Sequence, residues 1–326
     1  MKRVRLIEFP EEEEAAFAKA RRLEWVSIAY LTSAAVLLFL VMGSSQAMRT
    51  SWLEDMISMV PPMAFLISSR FATRAATKSC PYGMHASVSI GYVTASLAIF
   101  AMGAFLLIEA TLKLIHQDRA TIGGFDLFGT TIWAGWPMLF ALAYTGIPSF
   151  FLGRAKKKLA PVIHDKVLYA DAEMNRADWM AESAAAVGVL GAGFGYWWTD
   201  PVAAGLVSLD IVRDGLNNLR AAVNDLIDET PRRTTDRSQL ETLPEEVAGE
   251  LEKLPWIERA DVRMREEGHV FFGEAFVVPI TTENIVRDIA DAVRKARALN
   301  WRVHDLTIMP VEASELQDDD DDRKER

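Results

Sequence analysis

Long apolar runs recur along most of this chain, and they limit strongly what it can fold into. Each of six runs has about the length that an α-helix needs to cross roughly 30 Å of hydrocarbon. They cover residues 25–43, 51–68, 86–115, 125–153, 180–198 and 201–219. The sequence therefore predicts an all-α domain of six transmembrane helices over residues 23–228, which follows a cytoplasmic N-terminal segment, 1–22.

Charge is concentrated at the two ends of the chain. The formal net charge is -10, and much of it comes from the glutamates at 11–14 and the aspartates at 318–322. This acidic balance argues against a nucleic acid as partner. Cys80 is the single cysteine, which excludes an intrachain disulfide and a cysteine-rich metal site. Motifs typical of a serine triad, a phosphate loop or a zinc protease are absent, so we do not expect an enzyme.

Basic residues in the short connections predict the orientation in the membrane. Cytoplasmic loops are enriched in Lys and Arg, so the loops richest in them are assigned to the cytoplasmic side. The basic residues after the second and fourth runs are Arg70, Arg74, Lys78, Arg154, Lys156, Lys157 and Lys158. An even number of crossings then places both termini in the cytoplasm, and a bacterial inner (plasma) membrane is the expected location.

The character of the sequence changes after residue 228. An amphipathic helix, two strands joined at Glu267 and Gly268, a second helix and a third strand follow in that order. This α-β-β-α-β order predicts a small α+β domain of ferredoxin-like type over residues 229–313, on the cytoplasmic side. The acidic tail, 314–326, has low complexity and is predicted to be disordered.

Two pairs of side chains in the apolar region have the spacing of metal ligands. Asp55 and Met59 are four residues apart, so their side chains share one face of a helix. Met174 and Asp178 repeat this spacing at the start of the fifth helix. Ionisable groups inside spanning helices are costly and usually mark an ion pathway, so the four residues predict a metal site. The alternative is that both methionines only fill space in the packing, as most methionines do.

Five short stretches have a common order and spacing: TSWLEDMIS, LLIEATLKLI, YADAEMNRADWMAESAAAVG, WWTDPVAAGLVSL and NDLIDETP. Together they resemble the cation diffusion facilitator family of metal–proton antiporters, over about residues 20–312. On that resemblance, Asp55 and Asp178 stand at two metal-binding positions of the family. Met59 stands where a second Asp is expected, and Met174 where a His is expected. The family's histidine-rich binuclear site in the cytoplasmic domain has no counterpart in this sequence.

The resemblance implies a carrier that exports a divalent metal by alternating access in exchange for protons. It also implies a homodimer in the lipid bilayer, joined through the cytoplasmic domain. Thioethers in place of a carboxylate and an imidazole soften the site, which favours Fe²⁺ or Mn²⁺ over Zn²⁺ and leaves Co²⁺ open. One alternative is a membrane metal sensor or regulatory protein that does not transport. The other is a carrier of another cation that uses Glu54, Glu182 or Asp210.

The sequence indicates no functional role for its five histidines. They stand singly, at positions 85, 116, 164, 269 and 304. His164 is expected to be a surface or entry residue on the cytoplasmic side, and the same expectation holds for the other four.

Overall fold

A computed structural model describes the chain over residues 9–41, 46–117, 124–127, 130–133, 135–236 and 238–316. The chain divides into two compact units. The helical unit comprises residues 15–68 and 90–223, and the mixed unit comprises the other described residues. The predicted disordered tail lies outside the described residues from position 317 onward, as does the N-terminal segment before position 9.

The first part of the described chain is mainly helical, as predicted. Its helices are α1 (Glu11–Val41), α2 (Gln46–Ser58), α3 (Val60–Ala72), α4 (Ser87–His116), α5 (Gly135–Leu159), α6 (Lys166–Gly193) and α7 (Thr199–Leu226). Strands β1 (Gly124–Leu127) and β2 (Thr130–Trp133) lie between α4 and α5. By length and composition, α4 and α5 are long and apolar enough to cross a membrane.

The second apolar run is two consecutive helices instead of the single helix that the sequence predicts. α2 ends and α3 begins on either side of Met59, which lies in a turn. Proline lacks a backbone N–H and fits best in the first turn of a helix, so Pro61 and Pro62 favour a new helix start. The carbonyl of Met59 belongs to the first turn of α3, because it accepts from the backbone N–H of Met63 over 3.3 Å.

The fourth apolar run, predicted as helix from residue 125, begins as a hairpin. β1 and β2 pair antiparallel, with Phe125 opposite Ile132 and Asp126 opposite Thr131. β-Branched side chains such as Thr131 and Ile132 favour extended backbone. The helical prediction is therefore wrong for this part of the run, and α5 begins only at Gly135.

Helices α5 and α6 pack closely because two glycines of α5 face α6. A Cβ atom on Gly153 would lie 2.9 Å from Cβ of Asn175, and one on Gly146 would lie 3.2 Å from Cβ of Glu182. Both distances are shorter than an ordinary contact between carbon atoms, about 3.5–4.0 Å. Small residues allow close approach of helices in membrane proteins in the same way. Larger residues at either position would push α5 away from the polar side chains of α6.

The mixed unit contains a three-stranded sheet and two helices. Its elements are α8 (Leu243–Glu252), β3 (Ile257–Glu267), β4 (Val270–Pro279), α9 (Ile285–Leu299) and β5 (Val303–Pro310). β4 lies in the middle, antiparallel to β3 and parallel to β5. Gly268 joins β3 to β4 with a φ of 70°, a value that glycine adopts readily. The α-β-β-α-β order predicted from the sequence is confirmed.

Three histidines are buried together in the mixed unit. The ring centroids of His85 and His304 lie 4.9 Å apart, and both rings contact Phe272 of β4. His269 is close enough to act electrostatically on His85. The exposed fractions of His85, His269 and His304 are only 3%, 1% and 5%. The expected surface positions are therefore wrong for these three residues, and also for His164, which is 4% exposed. The three clustered histidines attach the segment before α4 to the sheet.

The protein is expected to lose stability in mild acid because of His85. Burial, with smaller effects from His304 and His269, lowers the pKa of His85 to about 4 from its ordinary value of 6.5. The unfolded chain then binds a proton more readily than the folded chain does. The contribution of His85 to stability is therefore complete above about pH 6.5 and is lost as the pH falls towards 4. Thermal unfolding between these pH values should show the decline.

His85→Gln should remove on the order of 1–2 kcal/mol of this pH dependence, since glutamine does not titrate. The matched control is His116→Gln, which changes an exposed histidine and should leave the decline unaltered. An equal decline in the wild type and in His85→Gln would contradict the assignment to His85.

Candidate functional site

A small cavity lies inside the helical unit, between α1, α2, α4, α5 and α6. Its volume is about 20 Å³, which is room for about one water molecule or a bare metal ion. The lining is largely polar and acidic, and consists of Tyr30, Leu31, Glu54, Asp55, Ser58, Met102, Thr145, Ser149, Asp178, Ala181 and Glu182. Four helices contribute hydroxyl or carboxyl oxygens, and α4 contributes a thioether.

Asp55 of α2 and Asp178 of α6, both predicted as ligands, line this cavity. Ser58 follows Asp55 by one turn at the end of α2, and its hydroxyl donates to Oδ1 of Asp178 over 2.8 Å. Ser58 is itself buried, with 3% of its surface exposed. The hydroxyl orients the Asp178 carboxyl group and leaves it further lone pairs with which to bind a cation.

Glu54 and Glu182 add two more carboxyl groups to the cavity wall. Glu54 precedes Asp55 in α2, and Glu182 follows Asp178 by one turn of α6. None of the residues that line the cavity is Lys, Arg or His. With all four acids ionised, the wall would carry four negative charges in a desolvated interior, which is costly. Protons or a bound cation must therefore offset most of that charge.

Met59 and Met174, the other two predicted ligands, are not among the residues that line the cavity. Met59 lies in the turn between α2 and α3, and Met174 is fully buried in α6, one turn before Asp178. Across the described residues, no three or more His, Cys, Asp or Glu side chains are arranged to hold a metal ion. In this conformation the two predicted aspartates share a cavity with two glutamates and not with the two thioethers.

Glu109, Asp210 and Asp214 of the helical unit each have a basic partner. Arg176 of α6 reaches Asp210 and Asp214 of α7 at 2.7 and 2.9 Å. Lys113 reaches Glu109 within α4 at 2.9 Å. A carboxylate already paired with a basic side chain is a weaker ligand for a second cation. The alternative site predicted from the sequence was Glu54, Glu182 or Asp210. The two glutamates line the cavity, whereas Asp210 does not.

The hydroxyl groups of the cavity were not predicted from the sequence, and Glu182 was predicted only as part of an alternative site. Glu182 had a readable signal, because a spacing of four puts it on the same helix face as Asp178. Tyr30 of α1 donates a hydrogen bond to the carbonyl of Thr145 over 2.5 Å, across 115 positions of sequence. Nothing in the local sequence of either residue indicates that pairing.

Comparisons with known proteins cover the same part of the chain. A model of the cation efflux transmembrane domain matches residues 25–227. The uncharacterized transporter YdbO of Bacillus subtilis (strain 168) is 29% identical over 202 residues, which are 61% of this chain and 65% of YdbO. The manganese efflux system protein MneS of the same organism is 24% identical over 205 residues, 62% of this chain and 67% of MneS. The chain spans about two thirds of the length of these relatives.

The matched region contains every residue that lines the cavity. It also covers more than half of the chain and includes α4 and α5, which are apolar enough to cross a membrane. The chain is therefore a membrane protein that belongs to the cation diffusion facilitator family.

Proposed function

We propose that the protein exports a divalent first-row transition metal in exchange for protons, and that the metal binds in the cavity. One observation carries this proposal: four carboxyl groups on two helices line the cavity, and no basic side chain does. Such a wall attracts cations and repels anions. The direction of transport is supported by the similarity to MneS, whose name describes manganese efflux.

The ligand chemistry favours Mn²⁺ as the substrate, with Fe²⁺ second and Zn²⁺ or Co²⁺ behind them. Carboxylate and water oxygens suit Mn²⁺, whereas imidazole and thiolate are the usual ligands of Zn²⁺. The residues that line the cavity include no His or Cys. Glu54 and Glu182 then complete the ligand set of Asp55 and Asp178 in place of the two methionines.

Exchange with protons follows from the same carboxyl groups. Asp55 and Asp178 must be deprotonated to bind a cation, so metal binding releases protons. After the metal leaves, the wall takes up protons again, because uncompensated negative charge is costly in a desolvated interior. Metal and protons thus occupy one cavity in turn and move in opposite directions.

We infer six crossings of a bacterial plasma membrane, with α2 and α3 sharing one crossing and both termini in the cytoplasm. Basic residues after α3 and in the last turn of α5 support this orientation. The mixed unit is then cytoplasmic, and we propose it as the contact between two copies in a homodimer. Exposed apolar side chains on it support that role: Ile280, Val286 and Met309.

Leucine at both methionine positions tests which ligand set is right. Met59→Leu with Met174→Leu removes both thioethers and nearly conserves side-chain volume. We expect the order of metal preference to stay the same and the rates to stay within about threefold, because neither side chain lines the cavity. The measurement is metal-driven proton flux in proteoliposomes with Mn, Fe, Co, Ni, Cu(I), Zn and Cd.

If the double variant folds but its order of metal preference changes, the ligand set Asp55, Met59, Met174 and Asp178 is the right one. Glu182→Gln is the comparison variant, because it removes a carboxyl group that does line the cavity. It is expected to lower Mn²⁺ flux by about tenfold or more. Absence of metal-driven proton flux in the wild type would contradict the proposed function and favour a sensor that does not transport.

A further inference from the structure

A buried cluster of three charged side chains lies where α1, α5 and α6 meet. Nζ of Lys156 is 2.5 Å from Oδ2 of Asp171 and 3.0 Å from Oε2 of Glu24. The side chains of Lys156 and Glu24 are 0% exposed, and that of Asp171 is 1% exposed. None of the three lines the cavity. We refer to Glu24, Lys156 and Asp171 as the triad.

The charges of the triad do not cancel. Two carboxylates and one ammonium group leave one net negative charge where water does not reach. Among the described residues, the charged groups that act most strongly on Glu24 are Asp171 and Lys156, and those that act most strongly on Lys156 are Asp171 and Glu24. The next basic residue of α5, Lys157, is half exposed and pairs with Glu173 of α6 at 2.8 Å. Because an uncompensated buried charge is costly, uptake of one proton by the triad is favoured.

Hydrogen bonding indicates which carboxyl group carries that proton. Asp171 accepts from Nζ of Lys156 at 2.5 Å and from the amide of Asn175 at 3.2 Å. Among the described residues, Oε1 of Glu24 meets no hydrogen-bond donor, and Oε2 has the ammonium group of Lys156 at 3.0 Å, a longer contact than the one that Lys156 makes with Asp171. An ionised carboxyl group can only accept, whereas a protonated one can also donate. A proton on Glu24 therefore supplies the donor that this pair of carboxyl groups lacks.

We propose that the triad binds one exchangeable proton on Glu24 and is a proton site separate from the cavity. Release needs α1 to separate from α5 and α6, so that water reaches Glu24 and accepts the proton as hydronium. The Glu24 carboxylate is then hydrated, and Lys156 and Asp171 remain as a neutral pair. No other bond forms or breaks.

The triad is connected to the cavity through α6. Asp171 precedes Asp178 by seven residues and Glu182 by eleven, so all three lie on one face of the helix. Asp171 also acts electrostatically on Asp178. A movement of α6 when metal binds therefore changes the surroundings of Asp171 as well. This link to transport rests on the proposed function, whereas the proton site itself does not.

The pH dependence of thermal unfolding tests the triad without a transport assay. The folded protein keeps this proton up to a higher pH than the unfolded chain does. The contribution of the triad to the free energy of unfolding therefore falls as the pH rises. Glu24→Gln and Asp171→Asn each leave a triad that is neutral without a proton. Each is expected to raise Tm over the wild type by at least about 3 °C at about pH 9, and by less at about pH 5.

The double variant, Glu24→Gln with Asp171→Asn, leaves Lys156 as an uncompensated buried cation and is expected to lower Tm at both pH values. The control is Glu109→Gln, an acid that is partly exposed and paired with Lys113, which should keep the wild-type pH profile. Parallel profiles of the wild type and the two single variants would overturn the proposal. Failure of both single variants to fold would overturn it too, because each retains a neutral triad.

The transport arm counts protons exchanged per metal ion in proteoliposomes. Glu24→Gln is expected to export Mn²⁺ with fewer protons exchanged per ion than the wild type. An unchanged proton count would overturn the link between the triad and transport. If the wild type itself moves no protons with metal, the proposed transport function fails, and the Tm comparison still decides whether the triad binds a proton.

Discussion

Asp178→Asn is expected to reduce Mn²⁺ flux in proteoliposomes by about 100-fold or more, and Asp55→Asn by a similar factor. Each change keeps the shape of the side chain but removes a negative charge that faces the cavity. Loss of a group that only supports a metal ligand typically lowers affinity by about 10- to 100-fold. Loss of a ligand should cost at least as much. The measurement is the initial rate of metal flux at matched protein content.

Glu109→Gln is the matched control for these two variants. It also removes an acid from a long apolar helix, but that acid is paired with Lys113 and does not line the cavity. Its flux should stay within about threefold of the wild type, since a partly exposed ion pair contributes little. Wild-type flux in either aspartate variant, with normal thermal unfolding, would refute the cavity as the transport site.

Lys156→Met is the substitution expected to damage the fold most. Methionine approximates the length of lysine but removes the only positive charge of the triad, so the Asp171 carboxylate loses its counter-charge in a buried place. Removing one partner of a buried ion pair typically costs about 3–5 kcal/mol. For a chain of this size, that loss corresponds to a fall in Tm of about 10 °C, measured by thermal unfolding in detergent.

A triple variant separates charge from packing as the cause of that loss. Lys156→Met combined with Glu24→Gln and Asp171→Asn has no charged group left in the triad. It should recover most of the lost Tm, because replacing a whole buried ion cluster by neutral groups is often nearly neutral. Lys157→Met, at a half-exposed position one residue later, should change stability by less than about 1 kcal/mol. A triple variant as unstable as Lys156→Met would show that the electrostatic explanation is wrong.

The hydrophobic pattern was sufficient to predict the main elements but not where they are interrupted. The αββαβ order is readable because the strands alternate in burial and because Gly268 marks the turn between two of them. Pro61 and Pro62 are visible as a disturbance, yet a proline can either kink a helix or start a new one, depending on its neighbours. Apolar residues near 130 fit a strand or a helix equally, so the hairpin was not predictable from hydropathy.

Two of the four carboxyl groups of the cavity, those of Asp55 and Asp178, could be predicted as ligands from the sequence. Helical spacing identifies residues that share a face with Asp178, but both Met174 and Glu182 meet that condition, one turn to either side. Only the packing of α5 and α2 against α6 decides which of them lines the cavity. Lys156 shows the same limit: in the sequence it belongs to a run of loop cations, and in the structure it is fully buried.

The common face of Asp171, Asp178 and Glu182 has a consequence for timing. On an ideal helix, Asp171 lies about 10 Å from Asp178 along the axis, and Glu182 about 6 Å beyond it. Because one rigid helix carries all three, any rotation of α6 turns them through the same angle at the same moment. The carboxyl group of Asp171 next to the proton site and those of Asp178 and Glu182 next to the metal therefore move at the same time. The rigidity and pitch of α6 thus couple proton release at the triad to metal binding in the cavity, without a chain of side chains between the two sites.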